Sequence, residues 1–475
     1  MAAFNKQYQH NQKLLDDALR VDGSFDLVAK DMMIGGRKSR LYFVDGFAKD
    51  SVMEKIMEFL LALTPEKVNE ATDAADFSCR FVSYVEADTQ KESDTVVTAV
   101  LSGTLALLME GFEEVILIDA RTYPARGVQE PDDDKVLRGS HEGFVETLVN
   151  NTALVRRRIR DPALTMEIVQ IGTSSKTDVV MCYLDGKADP ELTRDLRHKL
   201  NHIQVDALSM GQESLAECLV NKGWWNPFPK VRYTQRPDTA AASVTEGGIL
   251  IIVDNSPSVM VLPTRLWDFT QETNDYYFPP LVGSYLRIVR MVVFCATLLL
   301  TPTWFLLIQN PSLIPHWLDF IRVDEPNSVP LLAQLLLVEL IIDALKLASL
   351  NTPSSLSNSF SVVGALILGD FAVKAKWFVP EVVLYMAFVA IADFTQASFE
   401  LGYTIKLFRV LILVLCGIFG PWGYVAGLLL MVISAFTTPT ITGRKYLYPL
   451  IPFNGADFCR LMLRLPIHRK KKPKT

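Results

Sequence analysis

The 475-residue chain is poor in cysteine: Cys79, Cys182, Cys218, Cys295, Cys416 and Cys459 are scattered, with no CxxC pair. Three of them precede residue 280, so that half cannot be fully disulfide-paired, and a reducing compartment is the expectation. Glycine and proline, 25 of each, are too few for a low-complexity or collagen-like chain. There is no GxxxxGK[ST] phosphate loop, no GxSxG elbow and no clear GxGxxG string, which disfavours an ATP-driven pump. The opening MAAFNKQYQHNQKLLDDALR has no apolar run, so no cleaved signal peptide is expected and the first half is expected to stay on the cytoplasmic side.

What is present is apolar and unevenly charged. Hydrophobic residues make up 49% of the chain, charged residues 21%, and the mean hydropathy is +0.21. The net charge of −6 hides a division: residues 281–475 hold 17 Lys and Arg against 10 Asp and Glu, or +7, whereas residues 1–280 carry −13. An acidic soluble half joined to a basic, apolar half describes a membrane protein with a large extramembrane domain.

In the soluble half, a polar segment 1–30 precedes two α/β subdomains, 31–140 and 141–280. Ser39–Val44 reads as a strand, Ser51–Leu63 as an amphipathic helix and Phe77–Val85 as a strand; Thr104–Met109 and Val115–Asp119 form a hairpin around EGFEE. In the second subdomain Gly143–Val155 has helical periodicity. Leu164–Gly172 and Asp178–Leu184 are strands, Asp189–Leu200 and Gly211–Lys222 helices, and Ile249–Val253 with Val259–Leu262 a last hairpin. Helices mixed with hairpins favour α+β over a doubly wound sheet.

The second half, 281–440, reads as an all-α multi-span transmembrane domain, followed by a basic cytoplasmic tail, 441–475. An aromatic cluster, Tyr276 to Phe278 before Pro279 and Pro280, suits a membrane interface. Tyr285–Ile308 is the clearest span, with Arg287 and Arg290 at its entry. Val329–Leu350, Trp377–Phe394, Tyr403–Phe419 and Trp422–Phe436 are further long runs; Val362–Val373 is too short to span and reads as re-entrant or as part of a broken helix. Five long runs do not put both ends inside, so a sixth crossing through Val362–Val373, or one run lying in the interface, is required.

Charges inside these runs are the candidates for function. Glu339 and Asp343 are four apart and Lys346 three further on, so all three share one helix face. Charge deep in a bilayer costs ~2.5–3.5 kcal/mol on insertion scales and therefore faces protein or water. A cation path is one reading; an interhelical ion pair, or a helix lying in the interface, is the other. Asp370, Glu381 and Asp393 extend the same set. In the soluble half, His198 and His202 on a predicted helix make a weak zinc signal without a third ligand, and Asp132 to Asp134 lack EF-hand spacing. The run RRRIR, Arg156–Arg160, reads as a helix-end face meeting another subunit or the membrane surface; nucleic-acid binding does not suit a half of charge −13. No catalytic set, metal or cofactor site is expected, and the chain reads as a non-enzyme.

Particular strings resemble a known family. YPARGVQEPDDDKVLRGSHEGFVETLVNNT, residues 123–152, with ALVRRRIRDPAL after it, is similar to the R-x-x-x-E-P, V-R-G-P, G-F-x-E and N-x-x-L-I-R-x-R motifs of the GerA family, the A subunits of spore germinant receptors. Arg126, Glu130, Pro131, Arg138, Gly139, Gly143, Phe144, Glu146, Asn151, Leu154, Arg156 and Arg158 occupy the motif places, with Ser140 where proline is usual. In the apolar half, ELIIDALKL to VAIADFT resembles the family's E-to-GALVIGxAAV-to-P segment. Thr352-Pro353, FVPEVVLY, FELG and YLYPLIPFN look like its SpoVAF branch.

The resemblance implies a protein of the spore inner membrane, with both termini on the cytoplasmic or core side. It further implies a homo-oligomer, pentameric in this family, that releases monovalent cations during germination or amplifies their release. The partners it implies are membrane lipid, a small membrane protein and other germination-receptor components. A secondary transporter and a non-conducting scaffold remain the rivals; no internal hydropathy repeat of the transporter kind is visible in 281–440.

Overall fold

The computed structural model describes residues 3–48, 50–84, 86–121, 139–220, 225–323, 329–351, 374–441, 443 and 445–464, and element labels run over these residues. The chain forms two compact units. The first comprises Met1–Asn221, Val231–Thr264 and Thr440–Arg444; the second comprises Lys222–Lys230, Arg265–Pro439 and Lys445–Thr475.

The first unit is α+β and contains two five-stranded antiparallel sheets. One consists of β1 (Leu27–Ile34), β2 (Arg37–Val44), β3 (Ala87–Gln90), β4 (Leu105–Met109) and β5 (Val115–Ile118), in the order β1-β2-β4-β5-β3. The other consists of β6 (Leu164–Ile171), β7 (Thr177–Leu184), β8 (Arg232–Thr234), β9 (Ile249–Val253) and β10 (Val259–Leu262), in the order β6-β7-β9-β10-β8. Counted from its own first strand, each sheet has the same order, so the unit is built twice from one topology.

Both faces of each sheet are covered by helices. On the first sheet, α1 (Tyr8–Leu19) and α5 (Ser93–Leu101) bury Leu15, Leu19, Val96 and Val100 on one side. On the other side, α2 (Asp50–Leu61), α3 (Pro65–Asn69) and α4 (Ala74–Phe81) bury Ile56, Leu60, Val68 and Phe77. On the second sheet, α6 (Leu148–Arg158) and α9 (Pro237–Thr245) supply Leu154, Val155, Ala240 and Val244. Opposite them, α7 (Pro190–Asn201) and α8 (Gln212–Leu219) supply Leu192, Leu196, Leu215 and Leu219. Two covered faces explain why β4, β5, β9 and β10 are buried at every residue and read as unbroken apolar runs rather than alternating strands.

Three local expectations change. Phe77–Val85 is not a strand: Ala74–Phe81 is helical, because the Asp73 carboxylate accepts the Asp76 N–H at 2.8 Å as an N-cap and Asp76 pairs with Arg80 one turn on. The helix expected from Gly143 begins at Leu148, since Phe144 N–H donates to the Gln235 carbonyl at 2.8 Å and keeps 143–147 extended. Residues 1–30 contain α1 and the start of β1, which runs across the division set at 30/31.

Arg156, in α6, is fully buried. Its guanidinium donates to Asp26 at 2.8 and 3.0 Å, to the Leu164 carbonyl at 2.9 Å and to the Asp161 carbonyl at 3.2 Å. Ser24 donates to the same Asp26 and accepts the Met166 N–H. Asp26 enters β1 and Met166 lies in β6, so this one cation joins the two sheets.

The second unit is helical: α10 (Asn274–Tyr277), α11 (Pro280–Gln309), α12 (Leu331–Asn351), α13 (Pro380–Asp393), α14 (Phe399–Phe419), α15 (Pro421–Phe436) and α16 (Gly455–Met462). Among the described residues, α11 and α14 are long and apolar enough to cross a membrane, and α15 is a shorter apolar helix. Val362–Val373 and the tail beyond Arg464 lie outside the described residues. Helices α14 and α15 meet at Gly420 and pack through a small-residue pair, Gly423 and Gly427. A Cβ on Gly423 would come within 1.9 Å of the Leu415 carbonyl oxygen, and one on Gly427 within 2.7 Å of Ile412.

Two outcomes follow from this packing. Gly423→Ala is expected to lower the melting temperature of the detergent-purified protein, whereas Gly402→Ala, with nothing within 4 Å of the added carbon, is expected to leave it unchanged or slightly raised. Asp26→Ala leaves Arg156 buried without its anion and is expected to cost about 3–5 kcal/mol, read by chemical denaturation of the first unit's signal.

Candidate functional site

Three apolar helices carry the charges. From α12 come Glu339, Asp343 and Lys346, whose spacing places them along one face. Asp393 closes α13. From α14 come Lys406 and Arg409, also one turn apart. The structure brings all six together. Arg409 is 1% exposed; its Nε donates to Glu339 at 2.7 Å, its Nη1 donates to the Thr297 carbonyl of α11 at 2.9 Å and lies 3.9 Å from Asp393. Lys406 pairs with Asp343 and stands 3.4 Å from the other oxygen of Glu339. Lys346 reaches Asp393 at 3.2 Å and lies over the Phe394 and Tyr403 rings.

Three carboxylates thus face three cations, and the cluster as a whole is neutral. Glu339 and Asp393 each serve two cations, and the whole is a shared network rather than three separate bridges. Such pairing lets the charges sit in an apolar bundle, where an isolated ion would carry a large desolvation penalty. The carboxylates differ in exposure: Glu339 is 5% exposed and Asp343 35%.

Two partners were missing from the sequence-level set. Lys406 and Arg409 lie inside a run that reads as an apolar span; the available signal was the energetic cost of a lysine and an arginine three residues apart within it. Glu381 lies in the first turn of α13, at the end opposite Asp393 and outside the cluster. Asp370 lies outside the described residues.

The motif residues of the first unit serve its interior. Arg126, Glu130, Pro131 and Arg138 lie outside the described residues, as do Asp132 to Asp134. Phe144 is buried, the Glu146 carbonyl accepts the Asn255 N–H, and Asn151 is fully buried with its side chain bonded to both the N–H and the carbonyl of Val145. Gly139 and Gly143 flank Ser140, whose hydroxyl accepts from Arg158. Within the basic run Arg156 is buried, Arg157 and Arg158 both pair with Glu142, and Arg160 is exposed. His198 and His202 stack with ring centroids 4.0 Å apart, and His202 Nδ1 lies 2.8 Å from the His198 carbonyl. Burial within the second sheet pushes the Cys182 thiol up to about 12.

An α+β unit with a duplicated sheet order and a unit of apolar helices holding a buried charge network are the features of a membrane-associated protein. The chain belongs to the GerA family, described as Bacillus/Clostridium GerA spore germination protein, which matches residues 13–475. It is similar to Stage V sporulation protein AF of Bacillus subtilis (strain 168), 36% identical over 96% of this chain and 92% of that protein. It is also similar to the Uncharacterized membrane protein YfkQ of the same organism, 29% identical over 94% and 87%. A solved structure, the N-terminal domain of the A subunit of the Bacillus megaterium spore germinant receptor GerK3, is 23% identical with a TM-score of 0.42, covering 55% of this chain and 96% of that one.

The network makes a definite energetic statement. Glu339→Ala, which removes the nearest anion of Arg409 and leaves Lys406 only Asp343, is expected to destabilise the detergent-purified protein by about 3–5 kcal/mol. Adding Arg409→Leu removes the stranded charge and is expected to recover a large part of the loss in a thermal-unfolding assay. A double variant no more stable than Glu339→Ala would remove Arg409 from the account.

Proposed function

We propose that this chain is the subunit of a homo-oligomeric, pentameric channel of the spore inner membrane that passes monovalent cations during germination. In this reading it is not an enzyme and needs no cofactor. It is a multi-pass protein with both termini on the core side, working with a small membrane partner and other germination components. Membership of a spore germination family and similarity to a sporulation protein support the setting. The observation that carries conduction is the cluster of Glu339, Asp343, Lys346, Asp393, Lys406 and Arg409 on three apolar helices, with Asp343 the carboxylate of greatest exposure.

A polar network of this size within apolar helices gives a hydrated path the groups it needs, because intramembrane ionisable residues face protein or water rather than lipid. Glu381, at the opposite end of α13 from Asp393, and Asp370 are further acidic positions carried in the same proposal. A specific observation favours a second reading: the three-to-three pairing leaves the cluster neutral, which suits a non-conducting membrane scaffold held together by its ion pairs. Movement of α14 relative to α12 would separate these roles by releasing Glu339 and Asp343 from their cations.

Flux through purified protein decides between them. In potassium- or sodium-loaded vesicles the protein is expected to pass cations, and Asp343→Asn is expected to reduce that flux several-fold at unchanged protein level. A correctly assembled oligomer that passes neither ion leaves the scaffold. Projection images are expected to show a five-fold ring, and any other symmetry removes the pentamer.

A further inference from the structure

We infer that a short strap, residues 226–230, sets the position of α14 and so regulates the pairing of Lys406 and Arg409 with their carboxylates; this rests on the reading of the charge cluster as an ion path. The strap reads Asn226, Pro227, Phe228, Pro229 and Lys230. Its two prolines fix their own φ and bias Asn226 and Phe228 toward extended backbone, so it is stiffer than a glycine or serine linker of the same length. The strap belongs to the second unit, and the chain passes to the first between Lys230 and Val231. Since β8 begins at Arg232, a displacement of that strand reaches the strap through Val231 alone.

The strap grips α14 from behind. Asn226, Phe228 and Thr404 are all buried. The Thr404 hydroxyl of α14 donates to the Pro227 carbonyl at 2.5 Å, and the Phe228 ring packs on that of Phe408 with centroids 5.5 Å apart. Tyr446 closes over the strap: its hydroxyl donates to the Pro229 carbonyl at 2.9 Å and its ring meets Phe228 edge-on. Asn226 ties the strap to the end of α15, donating to the Ser434 carbonyl at 2.8 Å and the Thr438 hydroxyl at 3.1 Å, while its own oxygen accepts the Phe228 N–H. Thr404 and Phe408 are four apart and share one face of α14. At 3.6 residues per turn, Lys406 and Arg409 lie on the opposite side, where they meet Asp343 and Glu339. These strap contacts involve no charged side chain, so their effect on the cluster is positional. A shift of the strap carries α14 with it and changes the ion-pair distances, on which the pairing energy depends.

The test uses the full chain and two readouts. In potassium-loaded vesicles Thr404→Val, which removes the hydroxyl at nearly constant shape, is expected to raise flux about fivefold, the change in a pairing equilibrium that one hydrogen bond of ordinary net strength produces. The double variant Pro227→Gly, Pro229→Gly keeps both carbonyl acceptors, softens the strap and is expected to act in the same direction. Thr303→Val is the control: it removes a hydroxyl that pairs with Tyr424 at 2.8 Å between α11 and α15, away from the strap, and is expected to leave flux unchanged. The second readout needs no conduction. Melting temperatures of Phe228→Ala, Glu339→Gln and their combination are compared in detergent, and the combined loss is expected to be smaller than the sum, because a released α14 has already weakened the Glu339 pair. An additive cycle overturns the inference, as does a conducting protein whose Thr404 and proline variants pass ions at the parental rate. An equal rise with Thr303→Val marks general loosening and overturns it too. A non-additive cycle in a protein that passes no ion overturns the ion path instead and leaves the strap positioning α14.

Discussion

A guanidinium in an apolar helix bundle must be neutralised and hydrogen-bonded, and Arg409 imposes that requirement on the second unit. It reaches Glu339 of α12, the Thr297 carbonyl of α11 and the neighbourhood of Asp393 at the end of α13, so one side chain on α14 sets the approach of three other helices. Lys406, one turn earlier, repeats the demand on Asp343 and Glu339. Directional ion pairs are strong where water is scarce and fail sharply when one member is lost. The helices are therefore held in one register by charge, while Gly423 and Gly427 bring α14 and α15 together by small size alone. A neutral network can also exchange partners: Glu339 already faces two cations and Asp393 two, which gives the bundle a physical means of having more than one pairing pattern.

The first unit meets a related constraint with different means. Each sheet is sandwiched between helices, and its central strands are buried on both faces, so hydrophobic packing supplies most of its cohesion. The two sheets meet through packing as well, with Ala153 of α6 in the core of the first sheet and Phe25 against the core of the second; a buried cation fixes the joint further. Arg156 spends its donors on Asp26, before β1, and on carbonyls around the start of β6. The same strand order in both sheets, with a helix leading into each, makes this part a duplicated scaffold with a polar joint. Among the described motif residues, Phe144, Asn151 and Arg156 are buried in that joint and in the core beside it, where they serve structure.

Much of this was legible in the residues. The change from −13 to +7, the apolar runs after residue 280 and the hairpins at Leu105–Ile118 and Ile249–Leu262 are local properties, set by side-chain polarity and turn chemistry within a few residues. So was the family, whose strings stand in the sequence itself. The strand expected at Phe77–Val85 failed because alternate Phe77, Cys79 and Phe81 mimic a two-residue period, whereas the Asp73 cap and the Asp76–Arg80 pair select a helix. The burial of Arg156 was not legible for a similar reason: its carboxylate partner Asp26 is 130 residues away, beyond any local pattern.

The charge cluster divides in the same way. Sequence by itself determined that Glu339, Asp343 and Lys346 share a helix face, because that follows from 3.6 residues per turn. Only the tertiary structure decided that Lys406 and Arg409 face them and that Asp393 closes the set. Pairing between helices depends on how their axes approach, and the energy of an ion pair depends on distance and on the exclusion of water. Neither quantity is written in the order of residues along a single helix.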